Sequence, residues 1–225
     1  MRSEQIPGIC VAEPDADCDN CSLKDELLCR FEKALADRFL LGNISYRVLA
    51  TAIALLVGFH SGHWWMAPFY VGFVLLTFLI VEPRLLCSHC PYYAKEGRTL
   101  RCWALRGMPK LWKYRPEPAS ALEKRTMLIF GGIIDLAPIA FALFGFYILA
   151  LEWLEGSVNL IILTSLVGLT LVFLILAAVF DKMLRGGTCK ICTNFSCGMN
   201  KVPDDLRKEF LEKNPTMKEA WEKVD

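Results

Sequence analysis

The chain has 225 residues, 54% of them apolar, and a formal charge of +1. So small a net charge offers no basic excess for a nucleic-acid backbone, and nucleic acid is not expected as a partner. Apolar residues gathered in long blocks exclude an ordinary water-soluble domain. Residues 48–81 contain no Asp, Glu, Lys or Arg, residues 126–151 contain one, Asp135, and residues 157–180 contain none. About 20 apolar residues cross roughly 30 Å of hydrocarbon at about 1.5 Å per helical residue. The blocks therefore predict an all-α integral membrane protein with four transmembrane helices arranged as two hairpins.

Residues 1–43 read as a Cys-rich arm followed by an amphipathic helix. Pro7, Gly8 and Pro14 make the first part irregular. Ser22 is expected to cap a helix, with Asp25 three residues on. Leu23, Leu27, Phe31, Leu35 and Phe39 then form an apolar stripe at i+4 steps. Gly42-Asn43 is expected to end that helix and turn the chain into the bilayer.

Residues 44–81 read as the first hairpin, turning at His60-Ser61-Gly62-His63, with Trp64-Trp65 at headgroup level. Arg47 is expected to snorkel to the surface. Ala50, Ala54 and Gly58 repeat at i+4, a small-residue row suited to close helix packing. Residues 82–125 form a Cys-rich basic loop. Its second half mixes Trp112 and Tyr114 with Arg106, Lys110, Lys113 and Arg115, which predicts contact with anionic headgroups. Pro109, Pro116 and Pro118 argue against a long helix there.

Residues 126–180 read as the second hairpin, with its third helix near 126–151 and its fourth at 157–180. Asp135 lies about ten residues inside. A carboxylate in hydrocarbon is by default a functional-site hypothesis. The sharper expectation is a catalytic contact with a proton or a quinone. The plainer one is a hydrogen bond to Thr77 or Ser165. Residues 181–225 are a Cys-rich tail with two short helices. Pro203 starts the first; Asn214 caps and Pro215 opens the second.

Both hairpin turns lack Lys and Arg, whereas residues 82–125 hold ten of them. The positive-inside rule then puts both termini and the central loop on the cytoplasmic side of an inner membrane. No signal peptide is visible ahead of the first apolar block. All ten cysteines fall on the reducing side, where stable disulfides are disfavoured and metal ligation is the leading reading.

The thiols form two groups. Cys10, Cys18, Cys21 and Cys29 make the first, with a C-x-x-C pair at its centre. Cys87, Cys90, Cys102, Cys189, Cys192 and Cys197 make the second. Its two C-x-x-C pairs each follow a second hydrophobic segment, just past Glu82 or Asp181, as in a unit used twice. A C-x-x-C pair sets two sulfurs on one metal or cluster with little loop strain. Four thiolates suffice for tetrahedral zinc or for an iron–sulfur cluster. The number of thiols favours iron–sulfur over zinc; Cys90-Pro91 is a single Cys-Pro step of the kind that ends many ferredoxin ligand runs, too little to decide by itself. His89, inside one pair, is a lesser candidate ligand. No G-x-S-x-G, H-E-x-x-H or phosphate loop occurs. His60 and His63 read as turn residues on the opposite face.

In architecture alone the layout resembles the four-helix quinol-dehydrogenase membrane subunits that carry cytoplasmic iron–sulfur clusters. Those use Cys-x3-Cys-Pro runs, where this chain has Cys-x2-Cys-Pro at Cys87, Cys90 and Pro91. No residue role is carried over.

The expected function is electron transfer between a soluble donor and quinone or a membrane partner, as the electron-transfer subunit of a membrane oxidoreductase. The first rival is a zinc-stapled scaffold or assembly factor that holds a cytoplasmic protein partner. The second is a metal-regulated transporter, for which four spans would call for a homodimer.

Overall fold

The computed structural model describes residues 6–13 and 15–224. The helices are α1 (Lys33–His60), α2 (Met66–Leu76), α3 (Glu82–Leu85), α4 (Ala121–Leu154), α5 (Leu160–Gly186), α6 (Asp204–Glu212) and α7 (Pro215–Glu222). Among the described residues there is no strand; Thr99 and Pro109 form an isolated antiparallel bridge. Four helical stretches are long and apolar enough to cross a membrane: Lys33–His60, Met66–His89, Ala121–Leu154 and Leu160–Lys190. Large apolar side chains such as Phe59, Leu128, Leu143, Ile161 and Ile175 are exposed along them. Lipid, rather than water, is the solvent that such a surface suits.

The first helix differs from expectation at both ends. Residues 22–26 form turns, and α1 begins only at Lys33. The Leu28 N–H donates to the Ile191 carbonyl at 2.7 Å, so a distant segment takes an amide that a local helix would have used. The Ser22 hydroxyl reaches Glu209 instead of capping a helix. At the other end, α1 runs through Gly42 without a break. A Cβ on Gly42 would stand 2.8 Å from the Phe180 ring, so glycine serves close approach here, not termination.

The second span continues through a π-helical turn, Thr77–Val81, into α3. α4 begins at Ala121, five residues before the expected start, because Ser120 and Glu123 form a capping box. The Ser120 N–H donates to Glu123 Oε2 at 2.9 Å, and the Glu123 N–H donates to Ser120 Oγ at 3.3 Å. Asn159 caps α5, its Oδ1 accepting from the Ile161 N–H at 3.0 Å. Gly156, at φ +74°, closes the turn before it.

The chain divides into two compact units. One comprises Leu40–Thr77 and Ile129–Asp181. Its core holds Ala50, Ile53, Ala54, Val57, Tyr70, Ala142, Leu166 and Phe173. Ala50 and Ala54 are fully buried, as a packing row requires. Gly145 is closely enclosed as well: a Cβ there would lie 2.7 Å from Val57 and 2.8 Å from Leu166.

The other unit gathers the arm, Phe78–Leu128 and Lys182–Asp225. Its core includes Ile9, Leu23, Leu27, Tyr92, Leu100, Phe210 and Met217. Hydrogen bonds lock the three segments together. Thr216 Oγ1 donates to the Pro7 carbonyl at 2.8 Å, the Ala119 N–H to Ser196 Oγ at 3.0 Å, and Trp221 Nε1 to the Pro116 carbonyl at 3.1 Å. Trp112 and Tyr114, expected to face headgroups, are half-buried in this unit; the Trp112 N–H donates to Tyr93 Oη at 3.0 Å.

Candidate functional site

The ten thiols lie in the unit built from the arm, the loop and the tail, and they line two cavities. None is in a disulfide.

Cys10, Cys18, Cys21 and Cys29 line a cavity of about 200 Å³, with Phe210 in its wall and Asp17, Lys24 and Lys213 among its polar residues. All four cysteines are part-exposed. The C-x-x-C pair forms a turn, the Cys21 N–H meeting the Cys18 carbonyl at 3.4 Å. Asp17 and Asn20 brace it, Asn20 Nδ2 donating to Asp17 Oδ2 at 2.9 Å. Cys10 sits in a loose stretch of chain, yet it is fixed. Its N–H donates to Oδ1 of the fully buried Asn214 at 2.8 Å. Burial pushes the Cys29 thiol up to about 12, with the neighbouring Cys10, Cys21 and Cys18 adding to it. Burial raises Cys10 too.

Cys87, Cys90, Cys102, Cys189, Cys192 and Cys197 line a second cavity, of about 160 Å³. The other walls are largely apolar: Phe39, Leu86, Leu100, Trp103, Leu184 and Met199, with Glu82 as the acidic member. Four of these sulfurs receive hydrogen bonds. Cys102 accepts from the Leu105 N–H at 3.1 Å and from Ala104. Cys90 accepts from the Tyr92 amide, Cys192 from Asn194 and the Trp103 side chain, and Cys197 from Met199 and Asn200. Such donors favour thiolate over thiol. Burial opposes them and dominates: it holds Cys90 well above the ordinary thiol range, pushes Cys192 up to about 12, and raises Cys102 and Cys197. Mutual repulsion adds to the shift, Cys192 and Cys102 acting on Cys90.

The sulfurs are spread around walls. Among the described residues, no three His, Cys, Asp or Glu side chains converge tightly enough to hold a single ion. His89 is not part of the lining of the six-thiol cavity. Its Nδ1 meets the Glu117 carbonyl at 2.6 Å, and its Nε2 lies 3.6 Å from Glu123 Oε2.

Asp135 belongs to the other unit and is far from solitary. Arg47 Nη1 lies 3.2 Å from its Oδ1, and Tyr46 Oη donates to the same oxygen at 3.3 Å. Arg47 Nη1 also reaches Tyr70 Oη at 3.3 Å, and its guanidinium lies 4.6 Å from the Tyr46 ring centroid. Arg47 thus has an ion-pair partner in Asp135, and two charges in hydrocarbon cost less together than apart. Thr77 is otherwise engaged, its hydroxyl donating to the Phe73 carbonyl at 2.9 Å. Reasoning from sequence missed Tyr46 and Tyr70, and took Arg47 without its partner Asp135. The available signal was one basic residue at the edge of one apolar block and one acidic residue inside another. On the far turns, His60 Nε2 lies 2.9 Å from Glu152 Oε1.

Comparison with protein-family models, with curated proteins and with solved structures gives no match for this chain.

Proposed function

We propose that this chain is a membrane-anchored electron carrier holding an iron–sulfur cluster in each thiol cavity. One observation carries the reading: all ten cysteines line one or other of two cavities, four in the first and six in the second. Four thiolates meet the ligand count of a cluster. A single zinc ion would draw its sulfurs to about 2.3 Å from one point. A cluster instead has a body of its own, and each thiolate binds a different iron at its periphery. Sulfurs set around a cavity wall suit the second arrangement better. The N–H donors aimed at Cys90, Cys102, Cys192 and Cys197 support anionic sulfur, and such donors also tune a cluster's potential.

In this reading the thiol unit lies on the cytoplasmic side, in keeping with the ten basic residues at 82–125. A soluble donor supplies electrons, and quinone or a membrane partner removes them. Asp135, paired with Arg47, accepts a hydrogen bond from the Tyr46 hydroxyl and offers a carboxylate to a quinone head or a proton.

The test is iron and acid-labile sulfide content, with a visible spectrum, on full-length protein purified without oxygen. Iron and sulfide in near-equal amounts, with a brown colour bleached by reductant, is the expected result. Zinc alone would overturn it. That outcome would support the second reading, a zinc-stapled scaffold. One observation favours that reading: Cys87, Cys90 and Cys102 of the loop share a cavity with Cys189, Cys192 and Cys197 of the tail, so a metal there would bind the two segments together.

A further inference from the structure

Within the thiol unit the two cavities are joined by a short bonded path. Leu28 precedes Cys29 of the four-thiol cavity, and Ile191 precedes Cys192 of the six-thiol cavity. The Leu28 N–H donates to the Ile191 carbonyl at 2.7 Å. The Leu28 carbonyl accepts from Tyr92 Oη at 2.9 Å and lies 3.4 Å from Thr193 Oγ1. Tyr92 itself lines the six-thiol cavity, two residues after Cys90. Tyr92 and Thr193, which bond the Leu28 carbonyl, are buried.

The cavities also differ in surroundings. The four-thiol cavity has part-exposed cysteines and the polar Asp17, Lys24 and Lys213 at its walls. The six-thiol cavity takes Phe39 from α1, Leu184 from α5 and Glu82 from α3, all within stretches that are apolar enough to cross a membrane.

We propose that the two centres are consecutive stations of one electron path, with the four-thiol centre as the solvent-side entry, the six-thiol centre as the membrane-side exit, and Leu28 as the junction between them. The proposal rests on the iron–sulfur reading above. Each step moves one electron: the four-thiol cluster is oxidised by one and the six-thiol cluster reduced by one, with no bond made or broken. A soluble one-electron carrier refills the first cluster. A quinone that drains the second takes two such electrons and two protons per quinol. Two peptide bonds, the intervening backbone of Leu28 and Ile191, and one hydrogen bond connect Cys29 to Cys192. Electron tunnelling decays steeply with distance, and this route contains no through-space gap.

The experiment uses the full-length protein in detergent with both clusters loaded. Low-temperature paramagnetic resonance of the fully reduced wild type should show spin–spin splitting between two clusters. The splitting should disappear in a C18S/C21S variant. In stopped flow with reduced ferredoxin as donor, that variant should reduce its six-thiol cluster more slowly by about tenfold or more. Y92F, which retains every thiol, should slow the same step at unchanged iron content. Two loaded clusters with independent, unsplit spectra would overturn the proposal and leave the cluster reading standing. So would a six-thiol cluster reduced at the wild-type rate in C18S/C21S. Wild-type protein without iron would overturn the cluster reading itself, and the relay with it.

Discussion

Asn214 fixes Cys10 in place, and its removal has a calculable cost. The residue is fully buried. Its Oδ1 accepts the Cys10 N–H at 2.8 Å, and its Nδ2 donates to the Phe210 carbonyl at 2.6 Å. Asn214→Ala leaves both backbone groups without that partner. A buried group left unsatisfied costs about 1–3 kcal/mol. Water can reach the part-exposed Cys10 side and recover some of this, so the sum is about 2–3 kcal/mol. The loss falls on one segment, so it should appear as local opening of the arm, not as global unfolding. At about 1.4 kcal/mol per tenfold, the open population should rise roughly thirty- to hundredfold. The assay is pulsed alkylation of metal-free protein in detergent, with Cys10 and Cys192 followed separately by peptide mass spectrometry. Cys10 should be modified faster by that factor and Cys192 unchanged. Asn214→Asp retains the acceptor for Cys10 but not the donor for Phe210, and should fall between. Cys10 alkylation at the wild-type rate in a folded Asn214→Ala protein would refute the reasoning.

If the ten thiols serve two centres, C18S/C21S and C189S/C192S should each remove one centre's metal and leave the other's, as read by metal analysis of the two variants. The metal-free protein should lose stability as pH rises. Burial holds Cys29 and Cys192 near 12, above roughly 8.5 in an unfolded chain, so their contribution is complete below about pH 8.5 and lost as pH climbs toward 12. Thermal unfolding of the metal-free protein between pH 8 and 11 checks this; a flat midpoint contradicts it. Gly145→Leu should unpack the helices of the apolar unit, since even a Cβ meets Val57 and Leu166 below 3 Å; an overpacking cost of about 1–3 kcal/mol or more is expected as a lower thermal midpoint. Arg47→Ala should destabilise the same unit by more than the Arg47→Ala/Asp135→Asn pair does, because the single change leaves a carboxylate without its guanidinium.

The long helices could be read from sequence because charge is absent from long blocks, a feature that tertiary structure cannot disguise. The grouping of the thiols was legible for a similar reason: spacing alone separated residues 10–29 from the rest. What could not be read depended on contacts between distant segments. The stripe from Leu23 to Phe39 suits a helix, yet the Leu28 amide is bonded to Ile191, and the first part of the stripe became turns around buried Leu23 and Leu27. Gly42 resembled a terminator until Phe180 appeared beside it. The Ser120–Glu123 box was readable in principle, but the charges of Glu123, Lys124 and Arg125 disguised a helix start as loop. Arg47 and Asp135 were weighed one at a time, and only their pairing explains how both are tolerated.

The thiol unit poses a folding problem that bears on its function. Three segments far apart in sequence must close on one another, and the described residues of 6–32 and 86–120 contribute only turns, bends, short 3-10 stretches and the isolated Thr99–Pro109 bridge to the scaffold. Closing such loops costs chain entropy. The apolar core around Leu23, Leu100 and Phe210 offsets part of this. The sulfurs work against it when ionised, because burial and mutual repulsion both raise Cys90 and Cys29. Buried cysteines that serve only as small apolar fillers have no need of hydrogen-bond donors. Here backbone amides and Trp103 are directed at Cys90, Cys102, Cys192 and Cys197. Donors of that kind stabilise a negative sulfur, and on the iron–sulfur reading a cationic centre would complete the balance by holding the thiolates together. Metal binding would then be folding free energy for this unit, with protons released as the metal enters. The same centre that closes the three segments would be the one that carries the electron.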